Sequence, residues 1–172
     1  MIIKSINTKL MKTIAYLLPR VLISCVLFLQ ACSQNGDFYL LSGERKSLDD
    51  YRGQWLLVNF WAEWCSPCLE EFPELNQLAQ AKSEQGIQVI GISYDPLSNT
   101  DLKQKVEDLN ILYPVMATDP VPVLPFGLPP TLPTNYLISP QGEVVAKLVG
   151  KQSAHSINKV IQEYRANSGR KE

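Results

Sequence analysis

Two cysteines separated by two residues are the part of this sequence best suited to chemistry. Cys65 and Cys68 lie in the stretch Trp64-Cys65-Ser66-Pro67-Cys68. Thiols at this spacing can close a small disulfide ring and open it again. A cysteine becomes a nucleophile, rather than a packing residue, when its surroundings lower the thiol pKa so that a thiolate forms. The pair is therefore a candidate redox centre.

The residues on either side of the pair predict a strand that leads into a helix. The run 55–61 is apolar with one polar break at Asn59, which indicates a buried strand. Apolar residues then recur at helical spacing, so a helix is predicted from about Ser66 to Lys82. The cysteines would lie on its first turn, where unpaired N–H groups and the helix dipole favour a thiolate.

The rest of the pattern predicts one α/β domain over residues 38–168. A strand, a helix and a strand, followed by a hairpin and a last helix, are typical of a layered sheet. A proline-dense stretch, 120–133, comes directly before the hairpin. The further predicted elements are strands at 38–41, 87–94, 113–117, 134–138 and 143–149, a helical turn at 47–53, and helices at 100–109 and 153–166.

The first 31 residues predict an export signal. They contain four basic residues and no acidic one, whereas the whole chain has a net charge of −1. The apolar run 21–29 is shorter than the ~20 residues that a membrane-spanning helix needs. A basic flank followed by a short apolar run is typical of a secretory signal peptide, here residues 1–31. The signal would also be complete if translation began at Met11.

The end of that segment predicts a lipid anchor. Leu29-Gln30-Ala31-Cys32 resembles the lipobox of bacterial lipoproteins, although Gln30 fits its middle position imperfectly. The resemblance implies cleavage after Ala31, lipidation of Cys32 and a tether over residues 32–37. An ordinary signal peptide cut nearby, or an uncleaved anchor, remains an alternative.

Several classes of protein are disfavoured by what the chain lacks. With Cys25 removed and Cys32 lipidated, one close cysteine pair remains, which does not make a disulfide-stapled scaffold. No basic stripe is present, so nucleic acid is not an expected partner. A zinc site would need two further ligands, and the mature chain offers only His155, far along in the last predicted helix. No metal or other cofactor is therefore expected.

The order of elements and the text around the cysteines resemble a known family. The stretch 59–73, Asn-Phe-Trp-Ala-Glu-Trp-Cys-Ser-Pro-Cys-Leu-Glu-Glu-Phe-Pro, is similar to the TlpA/ResA/CcmG-like family of membrane-attached thiol–disulfide oxidoreductases. The predicted helix and strand between Asp95 and Ala117 resemble that family's central insertion. The resemblance implies a thioredoxin fold, in which helices flank a central mixed sheet, and an exchange activity at a redox-active Cys65–Cys68 disulfide.

Three residues are assigned to the chemistry. Cys65, at the start of the helix, is expected to be the exposed nucleophile, and Cys68 the shielded thiol that resolves the mixed disulfide. Glu71 follows one turn later, and the resemblance implies that a Glu here affects the acid–base behaviour of the cysteines. Its carboxylate can accept the Cys68 proton, although a solvated surface position is the alternative. Thioredoxin has a titratable Asp where this chain has Asn59, which strengthens the expectation for Glu71.

Three further residues are expected to tune the centre or to receive the substrate. By resemblance, Pro67 tunes the potential towards that of a reductant, and Trp64 packs beside the site. In thioredoxin-fold proteins a cis-proline exposes backbone opposite the cysteines for a substrate to pair with. Pro133 has the expected place, directly before the strand 134–138, although Pro129 and Pro130 are of the same type and an ordinary trans proline is the alternative.

These residues together predict a lipid-anchored, periplasm-facing reductase of the cell envelope. Because that compartment is oxidising, the dithiol would need a membrane electron donor, which the resemblance implies is of the DsbD/CcdA type. The substrate would be an envelope protein disulfide, for example that of an apocytochrome c. A peroxiredoxin-like peroxidase and a binding protein with idle thiols remain alternatives, as does the choice between inner and outer membrane.

Overall fold

The structure, a computed structural model, describes residues 37–81 and 86–169. The predicted signal peptide, Cys32, the tether before Asp37 and the predicted helix end at Lys82 lie outside these residues. Within them, no helix is both long enough and apolar enough to cross a membrane.

The described part of the chain folds into six strands, three α-helices and one 3-10 helix. The strands are β1 (Asp37–Tyr39), β2 (Arg45–Ser47), β3 (Trp55–Trp61), β4 (Ile87–Ser93), β5 (Thr134–Ile138) and β6 (Val144–Val149). The helices are α1 (Ser66–Gln80), α2 (Asn99–Asp108), α3 (Ala154–Ser168) and the 3-10 helix (Leu48–Tyr51).

Four of the strands form the predicted mixed sheet in the order β4-β3-β5-β6. Strand β3 pairs in parallel with β4 and antiparallel with β5, and β5 pairs antiparallel with β6. The buried apolar side chains form two core clusters, and alternate side chains of β3 enter different ones. Leu57 belongs to the cluster that includes residues of the three α-helices. Val58 belongs to the cluster that includes residues of the 3-10 helix and of the proline-dense stretch. Both faces of β3 are therefore covered, which is why all seven of its residues are buried.

The insertion differs from the prediction at its strand. Instead of a strand at 113–117, Val115 makes a parallel bridge to Gly91 and Met116 an antiparallel bridge to Leu40. Pro114 has no N–H to donate, so it interrupts a ladder at this position. The Pro114 carbonyl still accepts a hydrogen bond from the Gly91 N–H across 2.8 Å.

Two other local predictions need correction. Strand β2 lies where a turn and the start of a helical turn were expected, and it pairs with β1. Helix α2 begins one residue early because Ser98 caps it, accepting a hydrogen bond from the Asp101 N–H. Its buried residue is Leu102, whereas Val106 and Leu109 are only partly buried.

The proline-dense stretch is largely exposed but contributes Leu124, Phe126 and Leu132 to one of the two core clusters. Phe126 stacks on Tyr136 of β5 with 4.2 Å between ring centroids, and Leu124 is buried beside them. The Leu132–Pro133 peptide bond is cis, which confirms the predicted isomer, and Asp119–Pro120 is cis as well. The stretch thereby covers the sheet face that the α-helices leave open.

Candidate active site

The predicted site residues converge at one end of the sheet. Strand β3 ends at Trp61, and Cys65 follows as the N-cap of α1. Because β5 runs antiparallel to β3, with Thr134 opposite Phe60, β5 begins at the end of the sheet where β3 finishes. Pro133 therefore lies at the end of the sheet that carries the cysteines.

The two cysteines form a disulfide in this structure. Cys65 caps the helix rather than standing in its first turn, and its carbonyl accepts hydrogen bonds from the N–H groups of Cys68 (2.9 Å) and Leu69 (3.2 Å). Cys65 is also less exposed than predicted: 5% of its surface is accessible, against none for Cys68. Both residues belong to the apolar cluster that contains Trp61 and Phe72, which accounts for the low exposure.

Glu71 is completely buried, so the alternative of a solvated surface position is wrong. Its Oε1 accepts a hydrogen bond from Asn59 Nδ2 across 2.6 Å, and its Oε2 accepts one from the Gln152 N–H across 3.0 Å. Asn135 Nδ2 approaches both carboxylate oxygens at 3.3 to 3.4 Å. Burial raises the pKa of the Glu71 carboxyl to about 7, and these hydrogen bonds act in the opposite direction.

Asn59 is the centre of this buried network. Besides Glu71, its Nδ2 donates to Asn135 Oδ1 across 2.9 Å, and its Oδ1 accepts a hydrogen bond from the Tyr113 hydroxyl across 2.9 Å. Burial raises the pKa of the Tyr113 hydroxyl well above its usual value, with a smaller contribution from the Glu71 charge. Tyr113 is therefore a neutral donor.

The two tryptophans nearest the cysteines, Trp61 and Trp64, have different surroundings. Trp61 is buried against Phe72 with its ring edge-on, which agrees with a role in core packing. Trp64 is 66% exposed, and its Nε1 donates to both carboxylate oxygens of Asp95 at 3.0 and 3.2 Å. Tyr94 lies edge-on to its ring. An exposed aromatic side chain, fixed by a carboxylate, therefore lies directly beside Cys65.

Two prolines border the cysteines. Pro67 lies in the first turn of α1, where the helix has N–H groups without intrahelical partners and can accept a proline. Pro133 is buried, and its carbonyl accepts a hydrogen bond from the Gly150 N–H across 2.9 Å. That carbonyl is paired within the protein, because the hydrogen bonding between β5 and β6 continues past Thr134 to Pro133. Before Pro133, Leu132 is half-buried, and the carbonyl of the exposed Thr131 accepts a hydrogen bond from the Thr134 hydroxyl across 2.7 Å. The role of Pro133 as a substrate platform stays a prediction.

Three contacts of Glu71 and Asn59 were missed from the sequence. Asn135 had a usable signal, because it is a polar residue directly before the apolar run Tyr136–Ile138 on the same predicted strand. Gln152 acts through its backbone N–H, so its side-chain type carries no information. Tyr113 is 54 residues from Asn59 along the chain, and nothing in its own neighbourhood indicates the contact.

Comparison with known proteins finds relatives across this domain. Residues 33–147 match the model of the AhpC/TSA family. Thiol–disulfide oxidoreductase ResA of Bacillus cereus is 30% identical over 122 residues, which cover 71% of this chain and 70% of that protein. ResA of Geobacillus thermodenitrificans is 31% identical over 130 residues, which cover 73% of each chain. The structure of a DsbF homologue from Corynebacterium diphtheriae has a TM-score of 0.59 and 25% identity, covering 74% of this chain and 82% of that one.

Proposed function

Because the chain belongs to the AhpC/TSA family and, with the ResA proteins, to the TlpA/ResA/CcmG-like thiol–disulfide oxidoreductases, we propose that it reduces disulfides of exported proteins. One observation carries the proposal. The Cys65–Cys68 disulfide at the start of α1 is followed, one helical turn on, by a carboxylate that is buried and hydrogen-bonded. Such a group can accept a proton near neutral pH, which the resolving step requires.

The reaction proceeds in two exchanges. The Cys65 thiolate attacks one sulfur of the substrate disulfide, a mixed disulfide forms, and the first substrate thiolate leaves. The Cys68 thiol gives its proton to the Glu71 carboxylate, and the resulting thiolate attacks the Cys65 sulfur. The second substrate thiolate leaves, and the two substrate thiolates take up two protons, one released by Glu71 and one from solvent. The substrate gains two electrons, and the protein is left with the disulfide seen in the structure.

Each turnover therefore requires two electrons from outside the protein. In an oxidising compartment the dithiol does not regenerate by itself. We assign this step to a membrane electron donor of the DsbD/CcdA type. The substrate is a disulfide of an envelope protein, and the haem-binding cysteine pair of an apocytochrome c has the required chemistry.

The place of action is the periplasmic side of a bacterial membrane. The predicted signal peptide and the lipobox before Cys32 support this location. Three acyl chains anchor a protein firmly, because each buried CH₂ contributes ~0.8 kcal/mol. Labelling with radioactive palmitate tests the anchor. The wild-type chain should take up the label and Cys32→Ser should not, whereas equal labelling of the two would refute the assignment.

Reduction of insulin disulfides by the full-length chain, solubilised in detergent, tests the activity. We expect turnover in the wild type and none in Cys65→Ser. No turnover of insulin in any redox buffer would leave a binding protein as the better description. Turnover of peroxide in its place would favour the peroxidase alternative.

The equilibrium with glutathione buffers tests the direction. Potentials of proteins with this fold span from about −270 mV in reductants to about −120 mV in oxidants. We expect a value on the reducing side. A value near the oxidising limit would overturn the reductase assignment and leave the exchange chemistry intact.

A further inference from the structure

A tyrosine of the insertion reaches the buried network beneath the cysteines. Tyr113 follows α2 in the chain and is 3% exposed, and its hydroxyl donates to Asn59 Oδ1 across 2.9 Å. We propose that Tyr113 is a positioning residue, which fixes the Asn59 amide and so keeps Glu71 ready to accept the Cys68 proton. The inference rests on the proposed role of Glu71 and adds the residue that controls it.

The argument begins with the two ends of the Asn59 side chain. An asparagine amide donates from its nitrogen and accepts at its oxygen. Both donor hydrogens are used, one towards Glu71 Oε1 at 2.6 Å and one towards Asn135 Oδ1 at 2.9 Å. The oxygen receives the Tyr113 hydroxyl. The tyrosine therefore holds the oxygen end of the amide away from the carboxylate.

The opposite orientation of Asn59 would favour a different state of Glu71. If the Asn59 oxygen faced the Glu71 carboxylate, the carboxylate would lose its closest hydrogen-bond donor, Asn59 Nδ2. It would face another hydrogen-bond acceptor instead. A protonated carboxyl group would instead donate to that oxygen. Hydrogen bonds to the charged form of an acid favour ionisation, and those to the neutral form oppose it. The orientation of one amide thus changes how readily Glu71 takes up a proton.

The segment that carries Tyr113 is fixed from two sides. Asn76 of α1 donates to the Asn110 carbonyl across 2.7 Å and accepts from the Leu112 N–H across 2.8 Å. On the other side the ring lies against Gly91 of β4, where an added Cβ would be 3.0 Å from Tyr113 Cε2. A larger residue at Gly91 would therefore displace the ring.

The charged groups around Glu71 do not substitute for this contact. On α1, Glu70 pairs with Lys151 across 2.7 Å at the surface, and Glu74 accepts a hydrogen bond from the Ala154 N–H across 3.1 Å. Strands β3 and β5 present only the amides of Asn59 and Asn135 to the carboxylate. On the cysteine side the disulfide does not titrate.

A titration of Glu71 in the oxidised full-length protein tests the proposal without any exchange reaction. The Cδ carbons of glutamate are labelled with ¹³C, the protein is kept in detergent, and Glu71→Gln assigns the Glu71 resonance. We expect the Tyr113→Phe midpoint to move upward by about one pH unit, as the loss of one ordinary hydrogen bond predicts. Tyr51→Phe, which changes a half-buried tyrosine of the other core cluster, should leave the midpoint unchanged.

A second variant guards against poor folding of the first. Asn76→Ala loosens the segment before Tyr113 without touching Asn59, and it should move the midpoint in the same direction. A midpoint equal to that of the wild type in whichever of the two variants folds would overturn the proposal.

Exchange rates supply the second test. At pH 7, a midpoint one unit higher leaves about one fifth as much ionised Glu71, so Tyr113→Phe should resolve mixed disulfides about fivefold more slowly. In a Glu71→Gln background the same change should cause no further loss. A loss that persists in that background would show a merely structural effect and overturn the proposal. Absent exchange in the wild type would refute the proposed function, while the titration would still decide the role of Tyr113.

Discussion

Asn59 Nδ2 donates a hydrogen bond to Glu71 Oε1 across 2.6 Å, and neither side chain has any accessible surface. The contact joins the strand before the cysteines to the helix after them. A short hydrogen bond to the charged form of a carboxyl group favours ionisation, whereas burial disfavours it. Burial raises the pKa of Glu71 to about 7, and the hydrogen bonds from the Gln152 N–H, Asn59 and Asn135 act against that rise.

The first prediction concerns the pH dependence of the resolving step. In the proposed mechanism the ionised form of Glu71 accepts the Cys68 proton, so decay of the mixed disulfide should accelerate as pH rises through about 7. Glu71→Gln cannot accept the proton, so it should lose this inflection and resolve roughly 10²-fold more slowly at pH 7.5. Stopped-flow decay of a preformed mixed disulfide measures both effects.

Glu70→Gln is the matched control, because Glu70 lies on the same helix but is exposed and pairs with Lys151. It should behave as the wild type does. An inflection near pH 7 that survives in Glu71→Gln would assign the titration to another group.

The second prediction concerns stability. The pKa of Glu71 is raised from 4.5 to about 7 on folding, so between these values the folded chain binds more protons than the unfolded chain. The free energy of unfolding should therefore fall as pH rises through this window, by up to roughly 3 kcal/mol from this group. Urea unfolding of oxidised wild type and Glu71→Gln at pH 4.5 and pH 8 isolates the contribution. The difference in free energy of unfolding between wild type and Glu71→Gln should change by that amount between the two pH values. A difference that stays constant would contradict the prediction.

Third, a carboxyl group in place of the Asn59 amide should disturb the site in a defined direction. Asn59→Asp places two acids at the distance of a hydrogen bond, where one proton is shared and the two pKa values separate. The inflection in the resolving step should move above pH 7, and stability should fall at alkaline pH. Gln141→Glu makes the same chemical change at an exposed turn and should do neither. A profile of Asn59→Asp that matches the wild type would show that Asn59 does not act on Glu71.

Fourth, Trp64 should matter for protein substrates and hardly for small ones. Its exposed indole, fixed by Asp95, offers an aromatic contact beside Cys65. Trp64→Ala should slow insulin reduction about fivefold, the effect of losing one aromatic contact of about 1 kcal/mol, while reduction of a small aryl disulfide stays unchanged. Val144→Ala removes another exposed apolar side chain, on β6, and should change neither rate. Equal losses with both substrates would indicate an effect on the cysteines themselves.

The sequence predicts the parts of this site that follow from local spacing. A cysteine at the start of a helix, a second one turn on and a glutamate one turn further must share a face, and the apolar run around Asn59 must be buried. The sequence left two alternatives open for Glu71, a site near the cysteines and a solvated surface position. A helix pattern does not say how completely a neighbouring loop covers a given side chain. The Gln152 N–H that caps Glu71 Oε2 comes from 81 residues away.

The insertion was the least predictable part for a related reason. Its segment 113–117 has a strand-like composition, but Pro114 interrupts the ladder and leaves isolated bridges. Tyr113 lies next to that proline, and its partner Asn59 is set by the fold rather than by any local pattern. Contacts between elements distant in sequence depend on tertiary packing, which spacing rules do not encode.

Trapping of the mixed disulfide tests the central claim most directly. In Cys68→Ser the attack by Cys65 proceeds, but the resolving thiol is missing, so the covalent intermediate should accumulate. Mass spectrometry after incubation of the reduced protein with a disulfide-containing polypeptide should find one substrate chain bound to Cys65. Cys65→Ser should form no such adduct. An adduct on Cys68, or none in either variant, would contradict the assignment of Cys65 as nucleophile and Cys68 as resolving thiol.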